Sequence, residues 1–387
     1  MMSSNKRSIS IFGLLYTYYI GLLPVLMIYK LPFVNFGLGV LLALIFLPYV
    51  FFSAFNKTNN KFFSIQSFLI VLFLLYYAYC VSSDFNVSTL LIVVAIHVLF
   101  APKSLYFVKF LKIVKGCVLI SSVIIIFQWL IYTLFGVFIP FIIDDYILEA
   151  FKGTSGMSEE SAGFYRISGL FLEPSHYSKY AIVGLAFFLF ESTLNKRVFM
   201  KAIIVTIGIL LSTSGIGLVG ALGIWAYYFV FKDNLIVKQK SKIARVFYLL
   251  ILGSFILLTL FYASNSFHHS VIRILGLSDD YNAIEGRTLY SESYLALLGD
   301  SDWLLGIGTF EVEKYLVGYV TLLLHSGIVG LSLIIITSIA FLFNNRTAIK
   351  LNIIFFVILL FYSNIVGGLY LLFYFVMFNN KYIYEKK

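Results

Sequence analysis

Long runs of apolar residues recur along the whole chain, and most of the polar segments between them are short. An α-helix needs about 20 apolar residues to cross the hydrocarbon core of a bilayer, with a range of about 17 to 25. The pattern therefore predicts a series of membrane-spanning helices, followed by a continuous apolar block at 351–378. The predicted helices cover residues 9–29, 32–55, 62–81, 86–101, 114–138, 174–191, 198–212, 214–231, 243–262 and 316–343.

The composition agrees with this pattern. Of the 387 residues, 61% are hydrophobic and 12% are charged, whereas a soluble domain carries about 25% charged residues. We therefore expect an all-α polytopic membrane protein, organised as one membrane domain over residues 1–387 with 11 or 12 spans. The higher number applies if 351–378 folds into a tight hairpin around SNIVGG.

The positive charge follows the predicted topology. With the N-terminus in the cytoplasm, most Lys and Arg residues fall in the inner loops, in agreement with the positive-inside rule. Membrane orientation thus accounts for the net charge of +10, and nucleic acid is not expected as a partner. Cys80 and Cys117 lie in or beside apolar runs, so they form neither a disulfide framework nor a metal cluster. The first apolar run is expected to be an anchor helix and not a cleaved signal.

Two predicted outer loops, at about 139–173 and 263–314, are much longer than the other connections. Loops of this length are usually functional or disordered, and the apolar and aromatic residues in these two argue against disorder. In the second loop, TLYSESYLALLG at 288–299 predicts a short helix on the membrane surface, within a folded lid. One face of that helix would carry Leu289, Tyr290, Tyr294, Leu297 and Leu298.

Ionisable residues gather at the end of the first loop, in RISGLFLEPSHYSKY. Pro174 suits the first position of a helix, and Glu173 then occupies its N-cap. A helix N-terminus attracts anions, and the guanidinium of Arg166 would complete a phosphate site. Glu173 and His176 are three residues apart, as a cooperating acid–base pair on one helical face would be. In the alternative interpretation, Arg166 and Lys179 extend to lipid head groups while Glu173 only caps the helix.

The same segment resembles the R-x-x-G-x-x-x-E-P-[ST] motif of the Wzy O-antigen and capsule polymerases and of the related O-antigen ligases. Residues 286–333 are similar to a second block of that family, in which an outer-loop arginine precedes a tryptophan, a G-x-G turn and a membrane helix that begins with G-[IV]-[IV]-G-L. The matching residues are Arg287, Trp303, Gly306, Gly308 and the segment GIVGL at 327–331. The histidine–asparagine pair of the ligases has no counterpart in VEKYLVGY, which favours the polymerases.

The resemblance implies a glycosyltransferase C-type membrane fold. It also implies polymerisation of undecaprenyl-diphosphate-linked oligosaccharide repeat units at the outer face of the bacterial inner membrane. In that reaction the growing glycan leaves its lipid diphosphate and joins a hydroxyl of the incoming unit, without a metal or a nucleotide-sugar cofactor. Besides the lipid-linked oligosaccharide and membrane lipid, a chain-length regulator protein is the partner to expect.

The resemblance assigns chemical roles to residues of both loops. Glu173 is the first choice for the base that accepts the hydroxyl proton, and His176 is the second. Arg166 and Arg287 are the candidates for binding the diphosphate and its developing charge, with Arg273 behind them. We therefore expect Arg166, Glu173 and Arg287 to line one outward-opening cavity.

The remaining candidates are aromatic residues and histidines. Tyr177 and Trp303 are candidates for stacking on sugar rings. His325 lies inside a predicted span, where an ionisable residue either lines a cavity or forms hydrogen bonds between helices. His97 is interpreted as structural. The pair at 268–269 is interpreted as surface residues, because adjacent histidines diverge and no third metal ligand is evident.

Two other functions remain open for the chain. One is O-antigen ligase, within the same family, and the other is a polysaccharide or lipid transporter. Transporters commonly show internal repeats and place charges at discontinuous helices near the midplane of the membrane. In this sequence the ionisable residues concentrate in two outer loops, which favours an enzyme.

Overall fold

A computed structural model describes most of the chain, and the regular elements of its described residues are helices and one two-stranded hairpin. The described residues are 10–31, 34–55, 65–137, 139–142, 144–148, 167–190, 195–231, 262, 268, 272, 290–309, 316–363 and 369–379. They fall into two compact units. One unit joins the part up to Val114 to the part from Tyr290 onward, and the other runs from Lys115 to Leu289. The all-α class is as expected, whereas the single membrane domain stays a prediction.

Most helices coincide with predicted apolar runs. Up to residue 231 the described α-helices are α1 (Ile11–Leu26), α2 (Leu38–Phe55), α3 (Ile65–Cys80), α4 (Phe85–Ser104), α5 (Phe107–Phe135), α6 (Pro174–Phe190), α7 (Lys196–Leu211) and α8 (Gly215–Phe231). From residue 290 they are α9 (Ser291–Leu295), α10 (Asp302–Leu305), α11 (Gly318–Asn344), α12 (Thr347–Tyr362) and α13 (Tyr370–Asn379). A 3-10 turn at Asp144–Tyr146 follows α5.

Within the described residues, two helices are long and apolar enough to cross a membrane, namely α5 and Gly318–Phe343 of α11. Several shorter apolar helices accompany them, among them α1, α3 and α8. The predicted span at 243–262 lies outside the described residues except for its last position. The block at 351–378 contains the two helices α12 and α13, as the hairpin alternative predicts.

The second predicted span is shorter than expected. Residues 34–37 form a strand that pairs antiparallel with Lys30–Leu31, so α2 begins at Leu38 and not at residue 32. The backbone N–H of Leu38 donates to the carbonyl of Tyr29 at 2.8 Å, which joins the hairpin to the start of the helix. Val34 and Phe36 belong to the β-branched and aromatic residue types that are enriched in strands.

A buried histidine joins three helices of the first unit. His97 Nε2 lies 2.9 Å from the carbonyl oxygen of Ala43 and must donate, because a carbonyl only accepts. His97 Nδ1 lies 3.1 Å from the hydroxyl of Tyr16. Both ring nitrogens therefore have partners inside the protein, which confirms that His97 is structural.

Candidate functional site

The three predicted arginines, Arg166, Arg273 and Arg287, lie outside the described residues. The predicted contact of Arg166 and Arg287 with a common diphosphate, and the cavity that they would line with Glu173, therefore stay predictions. The other candidates are described, and each belongs to one of the two units.

Glu173 stands at the N-terminal edge of α6, in the second unit. The helix begins at Pro174 as predicted. The carbonyl of Glu173 accepts from the N–H groups of His176 at 3.0 Å and Tyr177 at 3.2 Å, as expected for an N-cap residue. Its carboxylate accepts a hydrogen bond from the Ser175 hydroxyl, with 3.0 Å between Oε2 and Oγ. The side chains of Glu173 and His176 are both partly exposed, which a group that meets a ligand requires, but the Nδ1 atom of His176 is buried.

Tyr177 faces the interior of the second unit. Its side chain is fully buried, and its ring packs edge-to-face against Phe171. Its hydroxyl lies 2.8 Å from Ser122 Oγ on α5. A sugar ring has no access to this side chain, so we assign Tyr177 to the core in place of the predicted stacking role. Each residue of an α-helix is turned by about 100° from the one before, and this separates Tyr177 from the partly exposed His176.

The hydrogen bond of Tyr177 supports a test of that core role. Ser122 donates its only hydroxyl hydrogen to the carbonyl of Val118 at 2.7 Å, so the Tyr177 hydroxyl is the donor to Ser122. Ser122→Ala leaves a buried donor unpaired, and we expect it to lower the free energy of unfolding by about 1–3 kcal/mol. Tyr177→Phe removes that donor and should cost only about 1 kcal/mol.

The double variant Ser122→Ala/Tyr177→Phe is therefore expected to melt at a higher temperature than Ser122→Ala alone. Thermal unfolding of the purified proteins in detergent measures the difference. Identical melting temperatures for the double variant and for Ser122→Ala would contradict the assigned direction of the hydrogen bond.

The turn between α7 and α8 packs against the first turns of α6. Ser178 Oγ lies 3.2 Å from Ser212 Oγ, and a side chain at Gly217 would collide with Ser178. Thr213 and Ser214 are also buried in this turn. Thr213 has φ +55°, a left-handed conformation that is uncommon for a β-branched residue and is found more often at functional sites. Sequence reasoning missed this turn, although STSG between two apolar runs was an available signal.

Lys179 is a cation inside α6, with only 5% of its side chain exposed. The alternative in which it extends to lipid head groups is therefore wrong. An ionisable residue within an apolar helix usually faces the protein interior or a cavity, and it is a functional candidate for that reason. Sequence reasoning assigned Lys179 no catalytic or binding role, although a lysine inside an apolar run was a visible signal. We add it to Glu173 and His176.

The long helix α11, in the first unit, is broken at Gly327. This residue has φ +60° and ψ −166°, a conformation that is almost confined to glycine. The resemblance implied a membrane helix beginning at GIVGL. The predicted span at 316–343 is confirmed by α11, and Gly327, the first residue of GIVGL, separates its two helical halves.

The segment that follows α10 fills the break. The N–H of Ile307 donates to the carbonyl of Leu324 at 2.7 Å. The hydroxyl of Tyr76, on α3, donates to the carbonyl of Ser326 at 3.2 Å. A broken helix leaves carbonyl groups without intrahelical partners, and these two bonds satisfy carbonyls on the N-terminal side of the break.

The two glycines of the G-x-G turn allow the backbone of this segment to lie directly against the backbones of α11 and α3. Gly306 and Gly308 have φ +80° and +79°. A Cβ atom at Gly306 would lie 2.5 Å from the backbone of His325, and one at Gly308 would lie 2.8 Å from the carbonyl oxygen of Cys80. Larger residues would therefore separate this segment from α11 and α3.

His325 lies two residues before the break and is partly buried. Its Nδ1 atom lies 2.8 Å from the hydroxyl of Tyr77, and the two rings stack with their centroids 5.9 Å apart. The alternative of a hydrogen bond between helices is thus confirmed, whereas contact with substrate stays a prediction. Trp303 lies in α10 with a partly exposed indole, as a residue that stacks on a ligand requires.

The short helix α9 packs on the start of α11. The predicted helical stretch covers 288–299, of which residues 290–299 are described, and these are helical over Ser291–Leu295. Leu297 is exposed and does not share the packed face, and Leu289 lies outside the described residues. The packed face consists of Tyr290, Tyr294, Leu295 and Leu298, against Leu316, Val317, Val320 and Leu324. The apolar face of this helix thus packs on the protein itself, and its contact with the membrane surface stays a prediction.

The polar groups in and beside the first turns of α6 are suited to proton transfer and to interaction with an anion. The edge of α6 carries a carboxylate at Glu173, an imidazole at His176 and a buried ammonium at Lys179. In the described part of the chain, no group of three or more His, Cys, Asp or Glu side chains is arranged to hold a metal ion. Comparison of the chain with protein-family models, with curated proteins and with solved structures gives no match.

Proposed function

We propose that this protein is a membrane-embedded glycosyltransferase that polymerises undecaprenyl-diphosphate-linked oligosaccharide repeat units. Its fold would be of the glycosyltransferase C type, with the N-terminus in the cytoplasm and the site at the outer face of the bacterial inner membrane. One observation carries the proposal. Glu173 is a partly exposed carboxylate at the start of an apolar helix, and it belongs to a segment that resembles the R-x-x-G-x-x-x-E-P-[ST] motif of such polymerases.

The proposed reaction needs a base beside the acceptor sugar. The hydroxyl oxygen of the incoming unit forms a bond to the anomeric carbon of the growing glycan. The bond from that carbon to the diphosphate oxygen breaks, and the lipid diphosphate leaves with the electron pair. Glu173 takes the hydroxyl proton, while the Ser175 hydroxyl, which donates to Oε2, holds the carboxylate in place. A positioned general base of this kind contributes about 10²–10⁴-fold to the rate.

The leaving diphosphate needs positive charge as its oxygen separates from the sugar. The positive end of the α6 dipole and the positive charge of Lys179 lie on the same helix as the base. Because Lys179 is buried, it stabilises the diphosphate through the field of its charge and not by direct contact. Arg166 and Arg287 are the proposed contacts of the diphosphate oxygens, because a guanidinium binds phosphate through two parallel hydrogen bonds. With these groups in place, the reaction requires no metal ion.

A transporter of polysaccharide or lipid is the second candidate. The break of α11 at Gly327 favours it, because transporters bind their substrates at discontinuous helices. In this protein, however, the break is occupied by residues 304–308 of the same chain. That occupation leaves the freed backbone groups satisfied within the protein, so we prefer the enzyme.

The test is the surface glycan of a strain from which the coding sequence is deleted. We expect the ladder of long glycans to disappear while a single repeat unit stays attached to its lipid anchor, and the wild-type chain should restore the ladder. Loss of all attached glycan would contradict the polymerase. It would favour a ligase or a transporter, which act on every unit that reaches the surface.

A further inference from the structure

The segment between Asp302 and Thr309 holds its backbone against the first unit and turns its large side chains away from it. Gly306 and Gly308 contact the backbones of α11 and α3 without intervening side chains. The side chains of Trp303, Leu304, Leu305 and Ile307 are 39%, 55%, 55% and 36% exposed. Four large apolar side chains within five consecutive residues therefore face outward.

Exposure of these four side chains to water is energetically unfavourable. Transfer of apolar side chains out of water is favourable in proportion to the area that becomes buried. For this reason the surfaces of soluble proteins rarely carry large contiguous apolar patches. These side chains cannot be buried against α11 and α3, because the backbone of the segment is already in close contact with the backbones of those helices. Its outward surface therefore requires an apolar partner.

The two helices that the segment contacts also carry exposed apolar side chains. Tyr79, next to Cys80 on α3, is 77% exposed, and Ile328, next to Gly327 on α11, is 48% exposed. Residues Gly318–Phe343 of α11 are long and apolar enough to cross a membrane. The exposed side of a helix that crosses a membrane faces lipid, and the segment packs against this helix at Leu324 and Gly327.

Polar residues mark both ends of the apolar stretch. Asp300 and Ser301 are exposed just before it. Beyond it, the hydroxyl of Thr309 is hydrogen-bonded to that of Ser83, in the turn between α3 and α4. Trp303 lies next to the polar end, and tryptophan is enriched at the boundary between lipid and water. The segment thus has an apolar middle between two ends suited to the membrane surface.

We propose that residues 303–307 form a re-entrant element inserted into the membrane leaflet next to the turn between α3 and α4, with bilayer lipid as its partner. Under the proposed topology this is the outer leaflet. An apolar stretch held at both ends near the surface reaches about 5–10 Å below the head groups. Irregular backbone is tolerated at that depth only where the protein pairs its polar groups, and the bond from Ile307 to Leu324 provides such a pair. The inference requires that the chain resides in a membrane, but not that it transfers sugars.

Tryptophan fluorescence in lipid vesicles tests the insertion. The variant Trp129→Phe/Trp225→Phe leaves Trp303 as the only tryptophan of the full chain. In vesicles of phosphatidylcholine brominated at the upper acyl positions, we expect its emission to fall at least about twofold. Aqueous iodide should have little effect. The control adds Trp303→Phe and Glu292→Trp, which moves the tryptophan to an exposed acidic position of α9, and iodide should quench it strongly.

Two outcomes would overturn the proposal. Quenching of Trp303 by iodide to the extent seen in the control would place the segment in water. Insensitivity to both quenchers would mean that protein, such as a second copy of the chain, covers it. If the glycan ladder does not depend on this protein but bromolipid still quenches Trp303, the proposed enzymatic function is wrong while the proposed membrane insertion is still supported.

Cysteine labelling gives a second measurement if the tryptophan variants do not fold. In a Cys80→Ser/Cys117→Ser background, Leu304→Cys should resist a membrane-impermeant maleimide, which reacts with thiolates in water. Ser301→Cys, at the exposed polar end, should be labelled readily. Equal labelling at the two positions would contradict the insertion.

Discussion

Glu173→Gln is expected to reduce polymerised glycan about a hundredfold or more while the protein stays at its normal level in the membrane. Glutamine preserves the size of the side chain and the start of α6, but it cannot accept a proton. If Glu173 only capped the helix, the same change would cost about 1 kcal/mol or less and would leave the ladder intact. The measurement is ladder length and yield in a complemented deletion strain, normalised to protein in the membrane.

Glu292→Gln is the matched control, since it makes the same chemical change at an exposed position of α9 and should leave the ladder unchanged. Ser175→Ala removes the hydroxyl that donates to the Glu173 carboxylate, and we expect a smaller loss than from Glu173→Gln. A full ladder from Glu173→Gln would rule out Glu173 as the base and would transfer that role to His176.

Gly327→Ala is expected to destabilise the first unit by about 3 kcal/mol or more. An alanine at φ +60° and ψ −166° is strained whatever space surrounds it. Its Cβ would also collide with the carbonyl of Leu304 and would lie 2.6 Å from the nitrogen of Leu305. The collision would push α10 and the G-x-G turn out of the break and leave the carbonyls of α11 without partners.

The measurement for Gly327→Ala is the fraction of monodisperse protein after solubilisation, together with its melting temperature in detergent. Gly223→Ala, in α8, is the control, because no atom lies within 4 Å of the added Cβ. Alanine within a helix is favoured over glycine by about 0.5–1 kcal/mol, so this variant should be as stable as the wild type or more so. Similar melting temperatures for Gly327→Ala and Gly223→Ala would contradict the interlocked packing of α10 and α11.

The sequence predicted helix positions well because their signals are local. Proline suits the first position of a helix, and Pro174 begins α6 as expected. The helices α7 and α8 begin within two residues of the apolar runs that predicted them. The strand at 34–37 was missed, because hydropathy alone does not separate a short apolar strand from the beginning of an apolar helix.

The candidate site was predictable as a segment but not as a set of side-chain orientations. The carboxylate of Glu173 is partly exposed as expected, whereas Tyr177 and Lys179 are buried against the expectation. In α6 most residues on every side are apolar, so the sequence carries little periodicity to indicate which side faces the protein. The partners of α6 decide that orientation, and one of them is Ser122, 55 positions away from Tyr177.

The amino-acid sequence alone determined the all-α class and the positions of most apolar helices. The backbone hydrogen bonds of a helix join residues that are a few positions apart, and a membrane span needs a continuous run of apolar residues. Both properties therefore depend only on residues that are close in the sequence. The break in α11 and the element that fills it depended on tertiary contacts. They join Gly327 to Leu304, and the hydroxyl of Tyr76 to the carbonyl of Ser326 across 250 positions, and no local pattern encodes contacts between residues so far apart in the chain.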